Sequence, residues 1–244
     1  RARAIAAHLA PRVAPGSRAL LMFPPGLEVL PAFFGCLYAG VVAVPVPPPD
    51  GARLKHSLPR LQTILEDVAP AAIMTTAALF DDLAQRMQAA LPTVNWLVTD
   101  QPDADTAPDR PAPAGADAET PALASHAAVD TDALAYLQYT SGSTSQPRGV
   151  MLSHANVMHN LGHLQRGFAT GPDSVCITWM PYFHDYGLVE GLLQPLYSGA
   201  DCYVMSPLTL LMRPLRWLQA IDRYAATHTH APNFAYELCL QRIT

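Results

Sequence analysis

Short apolar runs alternate with segments of helical period along most of this chain, and that alternation constrains the fold more than any other feature. Ala19 to Phe23, Val41 to Val46, Ala71 to Thr75 and Asn95 to Thr99 are too short to present a helix face. Their apolar and β-branched side chains suit strands buried on both sides. Between them lie helical patterns: the end of a first helix at Ile5 to Leu9, then Leu27 to Ala39, Leu58 to Val68 and Ala78 to Leu91. Leu61, Ile64, Leu65 and Val68 share one face of the third. Pro31 fits only near the first turn of its helix, and Gly40 is placed as a C-terminal cap. The pattern returns further on, with strands at Leu134 to Gln138, Val175 to Trp179 and Cys202 to Met205. Helices are expected at His154 to Phe168, Gly187 to Tyr197, Pro214 to Ala226 and Phe234 to Ile243. Strands alternating with helices predict an α/β fold of parallel sheets flanked by helices. The two alternating halves read as one unit.

Gln101 to Pro121 interrupts the alternation. Its five prolines and five acidic residues leave almost nothing to bury, so it reads as a surface loop or linker. Elsewhere half the residues are hydrophobic, enough for a sizeable core. The net charge of −5 and the lack of a basic stripe exclude nucleic acid as a main partner. The apolar run Ala39 to Val46 is short and stops in three prolines, and no uninterrupted apolar span is long enough to cross a bilayer. The cysteines, Cys36, Cys176, Cys202 and Cys239, have no metal-site spacing. They read as small buried thiols in a reducing, cytoplasmic setting.

The chemistry concentrates in Tyr139-Thr140-Ser141-Gly142-Ser143-Thr144-Ser145-Gln146-Pro147-Arg148-Gly149-Val150. It follows a buried strand, and Ser153-His154-Ala155-Asn156 beyond it reads as a helix start, so it is expected to join strand to helix. Glycines let such a backbone come close to a ligand. The hydroxyls of Ser141, Ser143, Thr144 and Ser145 donate to anionic oxygens, and Arg148 adds a planar cationic fork. The following helix N-terminus would add its dipole. A Ser/Gly/Pro cluster is more often a plain surface loop. Its position after a parallel strand, where open α/β sheets bind ligands, favours a polyphosphate clamp. The Gly-Lys-Ser/Thr ending of the common phosphate loop is absent.

This stretch resembles the phosphate-binding signature of the adenylate-forming enzymes. Ser145 replaces the usual glycine and Arg148 the usual lysine, and Ser145 is similar to the fatty acyl-AMP ligase branch. Pro181-Tyr182-Phe183-His184-Asp185-Tyr186-Gly187-Leu188 resembles that branch's next loop, which implies His184 beside the acyl carboxylate and adenylate. Asp185 is equally explained as a helix cap. Pro232-Asn233-Phe234-Ala235-Tyr236 resembles the helix that borders the acyl pocket, although ordinary core packing would also explain such a face. Two glycines usually precede that helix where this chain has His230 and Ala231. Phe33 to Pro45 is also similar to these ligases.

The resemblance spans the whole chain. It implies an incomplete N-terminal adenylate-forming domain over residues 1–244, with the remaining subdomains further along a longer protein and this piece alone inactive. It assigns Thr140, Ser141, Gly142, Ser143, Thr144, Ser145, Arg148 and Gly149 to ATP, Thr144 to Mg²⁺, and Arg148 and His184 to catalysis. Asn233, Phe234 and Tyr236, with His184, are assigned to the acid. The implied reaction joins a fatty acid to ATP, giving acyl-adenylate and pyrophosphate. The acyl group then passes to the phosphopantetheine thiol of an acyl carrier protein, in lipid, polyketide or lipopeptide metabolism. CoA as acceptor, or a non-catalytic nucleotide- or acyl-binding module, are the alternatives. His159 with His163, and His228 with His230, lack a third ligand at useful spacing and read as packed or solvated.

Overall fold

A computed structural model describes residues 1–49, 54–87, 94–101, 130–140 and 147–243. The expected alternation is there. Helices α1 (Ala2–Leu9), α2 (Val29–Tyr38), α3 (Leu54–Val68) and α4 (Ala77–Met87) are interleaved with strands β1 (Arg18–Leu21), β2 (Val42–Pro45), β3 (Ala72–Thr75) and β4 (Asn95–Val98). Pro31 falls in the first turn of α2. Gly40, just past its end, takes the left-handed φ of +67° that a C-terminal cap requires.

Strands β5 (Leu134–Thr140) and β6 (Arg148–Ser153) complete a six-stranded sheet of order β4-β3-β1-β2-β5-β6. The first five strands are parallel, and β6 runs antiparallel to β5 at the edge. Parallel β strands need cover on both faces, and alternate residues divide accordingly. Ala19, Leu21, Phe23, Ala43 and Met74 face a cluster with α1 and α2. Leu20, Met22, Val44 and Ile73 face Leu61, Ile64, Leu65 and Val68 of α3.

The next elements are α5 (His154–Phe168), β7 (Val175–Thr178), a π-helix (Tyr186–Leu193), α6 (Gln194–Ser198), β8 (Asp201–Val204) and α7 (Pro207–Met212). Then come α8 (Leu215–Arg223), β9 (His228–Thr229) and α9 (Asn233–Arg242). Strands β8-β7-β9 form a second, parallel sheet. The strands divide between two sheets, in keeping with the parallel sheets expected. The break does not fall at the proline-rich segment, because β5 pairs with β2 across it, Ala43 opposite Tyr136. Most of that segment, residues 102–129, lies outside the described residues. The sheets pack through the π-helix, whose Leu188, Leu192 and Leu193 enter the core of the first.

The π-helix stands where an ordinary helix is expected. Its wide turn is bonded five residues back, Gln194 N–H to the Val189 carbonyl. Two glycines let it sit tightly. A methyl group on Gly187 would lie 2.1 Å from the Pro181 carbonyl oxygen, and one on Gly191 would lie 2.6 Å from Thr178 Oγ1. Such helices are rare and recur at functional sites. Among the described residues no helix is long and apolar enough to cross a membrane. All four cysteines are unpaired, yet Cys176 and Cys202, distant in sequence, face each other in register on β7 and β8.

Candidate active site

Ser141, Gly142, Ser143, Thr144 and Ser145 lie outside the described residues, but both ends of their segment are placed. Thr140 closes β5 and Arg148 opens β6, as register partners. The clamp segment therefore joins two antiparallel strands, which corrects the expected strand-to-helix loop. The helix dipole argument falls with it. Helix α5 does begin at Ser153, whose hydroxyl and Asn156 form a capping box. That end of β6 is opposite Leu134, about 17 Å from Arg148 at the rise of a strand. The position after the C-terminal end of a parallel strand stands, since β5 is parallel to β2.

Local packing holds this hairpin. Tyr139 lies across Gly149, where an added Cβ would meet its ring at 3.0 Å. Its hydroxyl bonds the Asp67 carboxylate, and burial, with Asp67 next, pushes the phenol up. Arg60 Nη2 donates to the Thr140 carbonyl at 3.3 Å. Arg148 itself is exposed.

The second stretch lies directly beside the first. Gln138 of β5 is buried, and its Nε2 donates to the Phe183 carbonyl at 2.9 Å. Tyr136, two residues earlier, has its phenol pushed up to about 12, by burial first and by the charge of Asp185 second. His184 and Asp185 are exposed there, at 58% and 70% of their side-chain surface. Asp185 Oδ1 accepts from Tyr186 N–H at 2.7 Å, the capping role, and meets His184 Nδ1 at the same 2.7 Å. The carboxylate thus fixes the imidazole at the mouth of the π-helix.

Tyr182 secures this loop from below. Its hydroxyl accepts from Phe23 N–H at 2.7 Å and lies 2.9 Å from the Val46 carbonyl and 3.0 Å from that of Phe23. One buried phenol therefore ties the His184 loop to the ends of β1 and β2. Burial raises its pKa, so it stays a neutral donor.

Helix α9 stands at the far side. Phe234 packs edge-on to Trp179 at 5.9 Å, and Tyr236 tilts against Trp217 at 5.4 Å. Phe234 and Tyr236 are about half exposed, while Ala235 and Cys239 are buried. Ordinary core packing therefore explains the small residues of α9 and not its aromatics. Asn233 opens the helix and is exposed. His230, just before it, meets Glu190 of the π-helix at 2.8 Å, so it is packed, one of the two readings given to it.

The three stretches thus converge at the C-terminal ends of β5, β7 and β9, where ligands bind in parallel sheets. Gln138, Arg60 and Glu190 were missed as members of this region. Nothing in their local sequence marks them, because each acts through a partner at least 40 residues away. Among the described residues no group of three or more His, Cys, Asp or Glu is placed to hold a metal ion.

Comparison with known proteins gives the family of the chain. The model of the AMP-binding enzyme family matches residues 1–243, and the chain belongs to that family. It is 48% identical, over its whole length, to the medium-chain-fatty-acid–[acyl-carrier-protein] ligase JamA of Moorena producens, covering 39% of it. It is 37% identical to the long-chain-fatty-acid–AMP ligase FadD26 of Mycobacterium marinum, covering 40% of that protein. Among solved structures it superposes on the fatty acyl-adenylate ligase of L. pneumophila, in complex with acyl adenylate and pyrophosphate. The TM-score is 0.80 at 34% identity, with all of this chain and 39% of that one covered. The chain thus spans about two-fifths of the length of these relatives.

Proposed function

We propose that this chain is the N-terminal part of a fatty acyl-AMP ligase, which condenses a fatty acid with ATP and hands the acyl group to an acyl carrier protein. The observation that carries this reading is the junction of the clamp strand and the His184 loop, made by Gln138 and the Phe183 carbonyl at 2.9 Å. It joins the strand that leads into the candidate clamp to the loop that carries an anchored imidazole. JamA is named for the same transfer, and the L. pneumophila enzyme holds acyl adenylate and pyrophosphate.

In this reading the acid's carboxylate lies by His184, whose ring Asp185 orients, and its alkyl chain runs along Phe234 and Tyr236, with Asn233 at the helix start. The carboxylate oxygen attacks the α-phosphorus of ATP and the bond to the pyrophosphate oxygen breaks. Negative charge grows on that leaving group, and Arg148 with the hydroxyls of Thr140, Ser141, Ser143, Thr144 and Ser145 offsets it. Gly142 and Gly149 let the backbone approach the phosphates. Holding both reactants at one sheet edge supplies the orientation. Mg²⁺ would supply further positive charge, with the acidic residue that holds it in the family lying further along the protein. The Thr144 hydroxyl would be another protein ligand, and the ion would neutralise phosphate charge. A reducing cytoplasm suits the four free thiols.

The test is fatty-acid-dependent ATP–pyrophosphate exchange by the full-length protein, followed by transfer to carrier protein or to CoA. Exchange and carrier acylation are expected. Absence of exchange across a broad panel of acids would leave a binding module, and acylation of CoA alone would replace the acceptor.

A further inference from the structure

Glu190 and His230 form a close polar contact that the chemistry above does not use. Oε1 and Nε2 are 2.8 Å apart, and the side chains are only 13% and 21% exposed. The pair ties the π-helix to the segment between β9 and α9. Its surroundings are mostly aromatic. The His230 ring stands edge-on to Phe168 at 4.9 Å and to Tyr186 at 6.1 Å. Tyr186 in turn is held up to about 12 by burial, by Glu190 and by Tyr236, so those groups are close together. Both partners are less exposed than His184, which stands at 58% just before the π-helix. The pair is therefore more buried than His184 and than the half-exposed Phe234 and Tyr236.

A buried carboxylate and imidazole among rings are a poor stabiliser, because apolar side chains of the same volume would usually serve as well. Its position gives it another use. We propose that the Glu190–His230 pair is a polar stop that limits the length of acyl chain this protein accepts, favouring shorter acids over longer ones. The inference rests on the reading that a fatty acid enters past His184. An alkyl chain that ran beyond Tyr186 would have to part the pair and leave a carboxylate against hydrocarbon. Burying a few more methylenes does not offset that loss. A shorter chain ends against the pair and leaves it intact.

The test compares octanoate with palmitate in pyrophosphate exchange by the full-length protein, and in calorimetric binding of the two acids. The wild type is expected to prefer octanoate at least about tenfold, the scale on which apolar pockets discriminate length. His230→Ala is expected to raise the palmitate-to-octanoate ratio by at least about tenfold. The double variant Glu190→Ala/His230→Ala, which leaves no unpaired carboxylate, guards against misfolding of the single one and should show the same rise. A wild type that takes palmitate as well as octanoate would overturn the proposal, as would a folded double variant with an unchanged ratio. If exchange fails with every acid while the binding ratio shifts, the adenylation reading falls and the stop stands.

Discussion

Single side chains here do work that spans long stretches of sequence. Tyr182 is the clearest, since its hydroxyl serves a backbone donor on one strand and faces carbonyls on two, more than 130 residues away. Tyr182→Phe keeps the ring and leaves Phe23 N–H buried without its partner. The expected cost is about 1–3 kcal/mol, the desolvation penalty of an orphaned backbone group, and a urea midpoint unchanged from wild type would refute it. Arg148 presents a contrast. Its side chain is exposed at the start of β6. Arg148→Ala should leave the urea midpoint within about 0.5 kcal/mol of wild type while pyrophosphate exchange drops by roughly 10²-fold. A fall in stability instead of rate would assign it a structural role.

At the scale of elements, the sequence was most legible where periodicity was strong and local. Strands β1, β2 and β3 are buried on both faces, so their composition alone marks them. Strand β6 was not legible. Val150 and Met151 are exposed, at 45% and 68%, and the strand exists because the hairpin sets it against β5. Strand β9 is two residues long, too short for any period. The clamp and the His184 loop could be found as motifs, but their adjacency is a tertiary fact carried by Gln138. The π-helix is the instructive miss, because its cause lies in what its glycines touch. Gly187→Ala forces a methyl group against the Pro181 carbonyl. The expected loss is about 1–3 kcal/mol, as for other overpacked sites. Exchange should fall more than Tyr182→Phe would cause, because His184 and Asp185 sit at that turn. A fully stable and active Gly187→Ala would mean that the wide turn relaxes without cost.

Across the whole molecule, the buried ionisable groups nearly all shift one way, and that gives the protein a pH limit. Burial holds the Cys36 thiol up to about 12 and, with Asp185, the Tyr136 phenol to about 12; it raises Tyr182 as well. Each of these groups is neutral when protonated, and the folded state favours that form. A raised pKa contributes stability that is complete below the unfolded-state value, about 8.5 for a thiol and 10 for a phenol. It is lost as pH climbs from there toward 12. The three groups all border the core shared by the sheets, so their ionisation loosens the junction on which the site depends. The urea midpoint should therefore hold up to about pH 8.5, decline through pH 9 to 10, and fall steeply above pH 10. Tyr136→Phe should flatten the steep upper part and leave the thiol-dependent decline in place. A midpoint constant to pH 11, or a Tyr136→Phe profile identical to wild type, would mean that these groups ionise without opening the core.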